Sequence, residues 1–275
     1  RDNTDDTEIV RGLISKAIEL DNNLISAKVL LGWTYSEMGD YDKAMEIYEE
    51  TLNQSEKLGD KKNTSISLRK IGVIYYHNSD YEKALDYFIR SLEISELIND
   101  KALISMALNN IGVIYKKQNN KDKSLEYYTR AIKIAEEIGD KEGVALNLLI
   151  IGWTYYKMGE YNKALDYYNR SLKIAQETNE KRALGLTLTT TTIGAIYNEI
   201  GDYEKAYDCF TRSIKLNEEF GDKRTLGWSL CKMGEYHLDS DNYKKAVSYL
   251  EKALKIARKL NMEVRYLSHL LLLYL

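Results

Sequence analysis

Apolar residues return along this chain at helical spacing in one repeating arrangement. The stretch IGVIYYHNSDYEKALDYFIRSLEIS at Ile71 to Ser95 comes back as IGWTYYKMGEYNKALDYYNRSLKIA at Ile151 to Ala175. A looser copy, IGAIYNEIGDYEKAYDCFTRSIKLN, runs from Ile193 to Asn217. Gly32, Gly72, Gly112, Gly152, Gly194 and Gly234 mark six copies, and the intervals between them are four of 40 residues and one of 42. A fixed period of this size is the signature of a stacked repeat array. Leu68, Ile71, Gly72 and Tyr75 stand at i, i+3, i+4 and i+7, which is one face of an α-helix. The same face recurs around Gly112, Gly152 and Gly234, with His237 replacing the tyrosine in the last copy, and all but its first position recurs around Gly32 and Gly194. Glycine at the centre of that face lets another helix come close, at roughly 1 kcal/mol of helix propensity.

Seven residues past each glycine the pattern breaks, at Gly39-Asp40, Ser79-Asp80, Asn119-Asn120, Gly159-Glu160, Gly201-Asp202 and Asp241-Asn242. Gly or Asn takes the left-handed end position of a helix, and Asp or Asn caps the next. A second helix then runs through Ala44, Ala84, Ser124, Ala164, Ala206 and Ala246, each one turn before a large residue: Tyr48, Phe88, Tyr128, Tyr168, Phe210 and Leu250. A small residue beside a large one predicts a tight helix contact, so Ala164 should face a neighbouring helix. Second breaks follow at Gly59-Asp60, Asn99-Asp100, Gly139-Asp140, Asn179-Glu180 and Gly221-Asp222, so each copy is a pair of antiparallel helices. The pattern L-G-x-x-Y followed by A-x-x-x-F resembles the tetratricopeptide repeat.

That resemblance covers almost the whole chain, with one departure. The family usually has proline near the end of its second helix; here the matching positions are Glu56, Glu96, Glu136, Gln176, Glu218 and Arg258, and the chain contains no proline at all. Without that breaker the helices extend, which accounts for 40 residues rather than 34. The long form is similar to kinesin light chains, to G-protein regulators and to many prokaryotic signalling arrays. The fold implied is an all-α, right-handed solenoid forming a single array over residues 1–275. Its parts are a half repeat at 1–23, repeats at about 24–60, 61–100, 101–140, 141–180, 181–222 and 223–262, and a half repeat at 263–275. Asp5 and Glu8 are placed to form a capping box for the first helix, which should run to Leu20, and Asn22 stands where proline would. The apolar tail from Val264 reads as the first helix of a further unit, so the chain is expected to be a piece of something longer. The 42-residue interval carries its surplus in Thr189-Thr190-Thr191-Thr192, and two extra residues rotate a helix by about 200°. A bulge, kink or break is therefore expected between Thr187 and Ile193.

Composition narrows the function. With 39 basic and 42 acidic residues interleaved and a net charge of −3, the chain lacks the positive patch of a nucleic-acid or membrane-surface protein. No apolar run spans a bilayer and no signal peptide opens the chain. The two cysteines, Cys209 and Cys231, make no metal spacing and no disulfide framework, and read as buried small residues suited to a cytoplasmic location. Phosphate loops, dinucleotide fingerprints, H-E-x-x-H and G-x-S-x-G are all missing, and His77, His237 and His269 fall in different copies. No enzyme activity, cofactor or metal is expected. Asp86/Arg90, Glu126/Arg130, Asp166/Arg170 and Asp208/Arg212 read as i, i+4 ion pairs supporting the second helix rather than as a phosphate ladder. Most of the 23 tyrosines read as packing residues whose hydroxyls reach the rim.

A face remains on the first helices away from the apolar stripe, at three before and one, four and five after each glycine. The family resemblance implies that this face lines a concave groove holding a peptide. The candidate groove residues are Trp33, Arg69, Val73, Tyr76, His77, Asn109, Val113, Lys116, Lys117, Trp153, Tyr156 and Lys157. An acidic end follows at Glu199, Glu235 and Asp239. The partner expected is a protein or peptide with apolar and acidic residues. Two readings stay open: a protein-interaction scaffold, or the sensor region of a larger signalling protein whose effector domain lies elsewhere.

Overall fold

The computed structural model describes residues 2–21, 23–177 and 183–260, with the backbone alone for 2–7 and 183–188. Two compact units divide the chain, Arg1–Asp140 and Lys141–Leu275. The first contains α1 (Asp2–Leu20), α2 (Ile25–Glu37), α3 (Tyr41–Leu58), α4 (Lys61–His77), α5 (Tyr81–Leu97), α6 (Lys101–Lys117) and α7 (Lys121–Glu137). The second contains α8 (Lys141–Lys157), α9 (Tyr161–Glu177), α10 (Ala183–Glu199), α11 (Tyr203–Phe220), α12 (Lys223–Asp239) and α13 (Tyr243–Lys259). Among the described residues there is no strand: the protein is an all-α repeat array. No described helix is long and apolar enough to cross a membrane.

The breaks form as their residues dictate. Ser79, Asn99, Asn119 and Asp241 adopt positive φ at the positions where other copies carry glycine. The following side chain then caps the next helix: Asp80 accepts from the Lys83 amide at 3.2 Å, Asp100 from Leu103 at 3.1 Å and Asn120 from Lys123 at 3.2 Å. Asp5, expected to cap the first helix, does not stand at its start. Helix α1 already runs from Asp2, so Asp5 lies inside the helix. The helix does end at Leu20.

Within each pair the large residue of the second helix lies on the glycine of the first. A Cβ added at Gly72 would stand 2.7 Å from the Phe88 ring, and one at Gly32 would stand 2.6 Å from Tyr48. Ala44, Ala84, Ala164, Ala206 and Ala246 are fully buried in the same contacts, as is Ser124. In the first unit Phe88, Leu108, Ile111 and Ile114 form one cluster of the core and Tyr48, Ile71 and Ile74 another. In the second unit Tyr168, Ile193 and Ile196 play that part, followed by Phe210 and Met233. Small hydroxyl residues join helices where the backbones run close. The Ser65 hydroxyl lies 2.7 Å from that of Ser95, and Ser91 donates to the Ser65 carbonyl at 2.9 Å. His237 is buried and stacks on Tyr249 at 5.5 Å, a packing role matching the tyrosine it replaces.

Three expectations need correction. The threonine run is not broken: α10 is one continuous helix from Ala183 to Glu199. From Ala183 to Gly194 the helix spans eleven positions, as Lys61 to Gly72 does in α4. Thr189, Thr190 and Thr191 are buried, and Thr190 takes the place filled by Leu68, Leu108 and Leu148 in other copies. The Thr191 hydroxyl lies 2.9 Å from that of Ser229 and also contacts Ser213, while the Asn217 amide donates to Ser229 at 3.1 Å. Threonine is tolerated there because its hydroxyl has partners inside the core.

The arginine pairs are the second correction. Asp86–Arg90 forms at 3.7 Å and Asp166–Arg170 at 4.0 Å, but Arg130 turns to Glu96 at 3.6 Å and Arg212 does not reach Asp208. The guanidinium is placed by a ring rather than by the acid: Arg90, Arg130 and Arg170 lie 5.2, 5.4 and 5.5 Å from the centres of Tyr87, Tyr127 and Tyr167. Third, the Tyr48 and Tyr128 hydroxyls do not reach the rim; both are buried and make no hydrogen bond. The expectations placed on Asn22, on the break at Asn179-Glu180, on the side chain of Leu188 and on the half repeat at 263–275 with His269 lie outside the described residues.

Candidate functional site

The first helices of each unit expose the face opposite their apolar stripe. In the first unit α2 touches α4 and α4 touches α6, so their faces adjoin. Helix α4 contributes Arg69, Val73 and Tyr76, all half-buried, and exposed His77. Helix α6 contributes half-buried Asn109, Val113 and Lys116 and exposed Lys117. The two helices meet through the Lys117 ammonium, 5.7 Å from the centre of the Tyr76 ring. Tyr41 at the start of α3 stacks on His77 at 5.2 Å and holds that ring at the end of the face. Trp33, on α2, is 42% exposed.

Charge on this face is poorly compensated. Among the described residues Arg69 makes no ion pair, and its Nε is buried without a hydrogen bond. Burial lowers its pKa, opposed by the neighbouring Tyr48 phenol. Lys70 is lowered by burial and then by Arg69, with Glu37 opposing. Burial also lowers Lys116, and Lys117 adds to the effect. Beneath these cations the Tyr48 phenol is pushed up to about 12, chiefly by burial; it lies beside Ser36 without hydrogen-bond geometry. The Tyr128 phenol is raised by burial too. Asn109 Oδ1 and Asn110 Nδ2 are likewise buried without a hydrogen bond inside the protein. Leaving such atoms unmatched costs about 1–3 kcal/mol each, so this face holds a row of polar groups that an outside ligand could satisfy. Lys70, Asn110 and the hydroxyls of Tyr48 and Tyr128 escaped the sequence reading. A polar residue two before the glycine at Lys70, Asn110 and Lys232 was the available signal; for the tyrosines there was none, because their ring positions read as core.

In the second unit α8 carries Trp153, 40% exposed, with half-buried Tyr156 and exposed Lys157. The Lys157 ammonium lies 5.6 Å from the Trp153 ring centre and 5.8 Å from that of Tyr156. The Tyr156 phenol is raised by burial first and then by Glu199, with Lys232 opposing and Glu235 adding. Residues from α8, α10 and α12 therefore converge. Two of the acids here are already engaged: Lys232 pairs with Glu235 at 2.6 Å, and the Asn198 amide donates to Asp239 at 2.7 Å. Cys231 is buried and its thiol contacts Glu235 at 3.5 Å. Burial raises that thiol to about 12, so it is neutral at neutral pH.

Twelve candidate residues thus fall into two groups, nine in the first unit and Trp153, Tyr156 and Lys157 in the second. The tetratricopeptide repeat pattern matches residues 23–97, 63–137, 103–177 and 186–259. No curated protein matches the chain. Several solved structures share the fold. A signal transduction ATPase with numerous domains and a tetratricopeptide repeat sensor, from Pyrococcus horikoshii, is similar at a TM-score of 0.79 and 20% identity, over 91% of this chain and 38% of that one. The apo quorum sensor NprR from B. thuringiensis is similar at 0.67 and 18%, over 92% and 70%. A kinesin light chain-like repeat protein from Podosopora anserina is similar at 0.59 and 11%, over 72% and 96%.

Proposed function

The chain belongs to the tetratricopeptide repeat family, and on that footing we propose that it is a non-catalytic interaction scaffold that binds a peptide segment of a partner protein on its first helices. The observation that carries this reading is the α4–α6 face. Arg69 and Lys70 are desolvated without an ion pair among the described residues, and Asn109 Oδ1 and Asn110 Nδ2 are buried without a hydrogen bond. Protein folding alone does not reward that arrangement. A segment with acidic side chains would neutralise the cations, its backbone would satisfy the amides, and apolar side chains would pack on Tyr76 and Val73. The second unit adds an aromatic patch at Trp153 and Tyr156, whose exposure suits a binding anchor.

Capture of partners by affinity pull-down with mass spectrometry, followed by titration calorimetry on the captured peptide, tests this. Arg69→Glu should weaken binding at least about tenfold and flatten its salt dependence. Trp153→Ala with Tyr156→Ala should weaken it by at least about 2 kcal/mol while the helical signal stays intact. Unchanged affinity in both variants would move the ligand to another surface.

A second reading is favoured by the similarity to the ATPase with a repeat sensor, of which this chain spans 38%. There the array serves as the sensor region of a longer signalling polypeptide. Sequencing the complete reading frame decides it: an adjoining nucleotide-binding or DNA-binding domain supports the sensor role, and an array alone opposes it.

A further inference from the structure

The outer side of the array carries a second repeated device. Three residues after the small residue of the second helix, Tyr87, Tyr127 and Tyr167 stack on the first-helix rings of Tyr75, Tyr115 and Tyr155 at 5.4, 5.5 and 5.4 Å, with interplanar angles of 18°, 21° and 16°. Tyr249 does the same on His237. A lysine lies against the inner ring in three of these, with Lys83, Lys123 and Lys163 at 5.1, 4.9 and 5.2 Å. Arg90, Arg130 and Arg170 cover the outer ring. The order is cation, ring, ring, cation.

One copy in the second unit omits a member. Cys209 stands where the outer tyrosine belongs, three after Ala206. The flanking groups are nevertheless present. Tyr197 has Lys205 at 5.2 Å on its ring but, among the described residues, no ring stacked on it. Arg212 occupies the position of Arg90, Arg130 and Arg170, yet among the described residues it makes no ion pair and covers no ring. Between them lies a cleft of about 700 Å³, whose lining includes Leu172, Ile193, Tyr197 and Cys209 and the charged side chains of Asp202, Glu204, Lys205, Asp208 and Arg212. The cysteine is turned toward α10, its Cβ 3.0 Å from where a Cβ on Gly194 would be. Its thiol is raised by burial to about 11, so the floor of the cleft is uncharged at neutral pH.

We propose that this cleft is a binding site for a single phenol-type ring, which stacks on Tyr197 beneath the Arg212 guanidinium as the tyrosine of the other copies does. The ring face of Tyr197 and the cation of Arg212 select a planar π system over an aliphatic group of equal size. A free phenol or a tyrosine side chain of another polypeptide presents the same chemistry. The site is separate from the first-helix face and does not depend on peptide binding there.

The test is titration of the whole chain with p-cresol, with N-acetyltyrosinamide and with cyclohexanol, followed by amide chemical shifts. For a ligand of this size p-cresol should half-saturate at about 1–20 mM, with shifts centred on Tyr197, Cys209 and Arg212. Cyclohexanol should not saturate. Cys209→Tyr fills the cleft with the ring the other copies carry, so it should raise Tm and abolish the p-cresol shifts. Cys209→Ala should keep them, and Arg212→Ala should weaken binding about two- to fivefold. Saturable N-acetyltyrosinamide binding assigns the site to a polypeptide tyrosine; binding of p-cresol alone assigns it to a free phenol. The proposal is overturned if p-cresol gives no saturable shifts, if cyclohexanol binds as well, or if Cys209→Tyr leaves binding unchanged.

Discussion

Gly72 and Gly152 hold the same place in two copies of the repeat, and the same substitution at each should have opposite effects. A Cβ at Gly72 would stand 2.7 and 2.8 Å from two atoms of the Phe88 ring, against about 3.4 Å or more for an ordinary contact, so the ring or the helix must retreat by about 0.7 Å. Phe88 is 2% exposed and packed among Ala84, Leu108 and Ile111, so it has no free space to move into. Overpacking of that kind costs about 1–3 kcal/mol, and the helix propensity gained from alanine returns only about 1 kcal/mol. Gly72→Ala should therefore destabilise by up to about 2 kcal/mol. At Gly152 the nearest atoms, on the Tyr168 ring, are 3.3 Å away, and a shift of about 0.1 Å suffices. There the propensity term wins, and Gly152→Ala should be neutral or stabilising by up to about 1 kcal/mol. Urea unfolding followed by circular dichroism at 222 nm measures both, with m compared to show that the same surface unfolds. If Gly72→Ala is as stable as the parent, or if the two variants lose stability equally, the glycines do not act through the facing ring.

Ala164→Leu places a large side chain at a fully buried helix contact and should cost on the order of 1–3 kcal/mol, read as a lower Tm. Thr191→Val keeps the shape of the core in α10 but removes a hydroxyl shared with Ser213 and Ser229; the loss should be about 1–3 kcal/mol in chemical denaturation, and a neutral result would mean the hydroxyl cluster adds nothing. Acid should destabilise the array through its caps. The Asp80 pKa is lowered by the Lys83 backbone amide first and then by the Lys83 side chain, so its contribution is present above the unfolded value of about 4 and is lost as pH falls through the lower folded value. Asp80→Asn keeps an accepting oxygen without the charge, so its Tm should fall less than the parent's between pH 5 and pH 3; identical pH profiles would count against the cap as an acid-sensitive element.

The repeat period and the ends of the described helices from α4 to α7 were readable without coordinates because each depends on local chemistry. A residue able to take positive φ, followed by Asp or Asn, stops one helix and starts the next wherever it occurs, as at Ser79-Asp80 and Asn119-Asn120. The burial of Ala44, Ala84, Ala164, Ala206 and Ala246 followed from spacing alone, since a 3.6-residue helix has only one side to bury. The face proposed to meet a ligand was legible in the same way, as the side left over.

What the sequence did not decide is whatever depends on a choice between partners of similar chemistry. Arg130 had an acid four residues before it and took Glu96 of another helix instead, because its place was set by the Tyr127 ring. Whether the long interval would interrupt its helix was open in the sequence; α10 is whole from Ala183 to Glu199, and Thr191 meets Ser213 and Ser229 in the core, which only the packing of three helices provides. Tyr48 and Tyr128 occupy positions that read as core, and the helix packing that buried their rings also carried their hydroxyls beneath Arg69 and Tyr76. Local hydrogen bonds and helical periodicity act over a few residues and are written in order along the chain. Ion pairs, ring stacks and buried polar clusters join residues far apart in sequence, and their outcome is set by which helices the fold brings together.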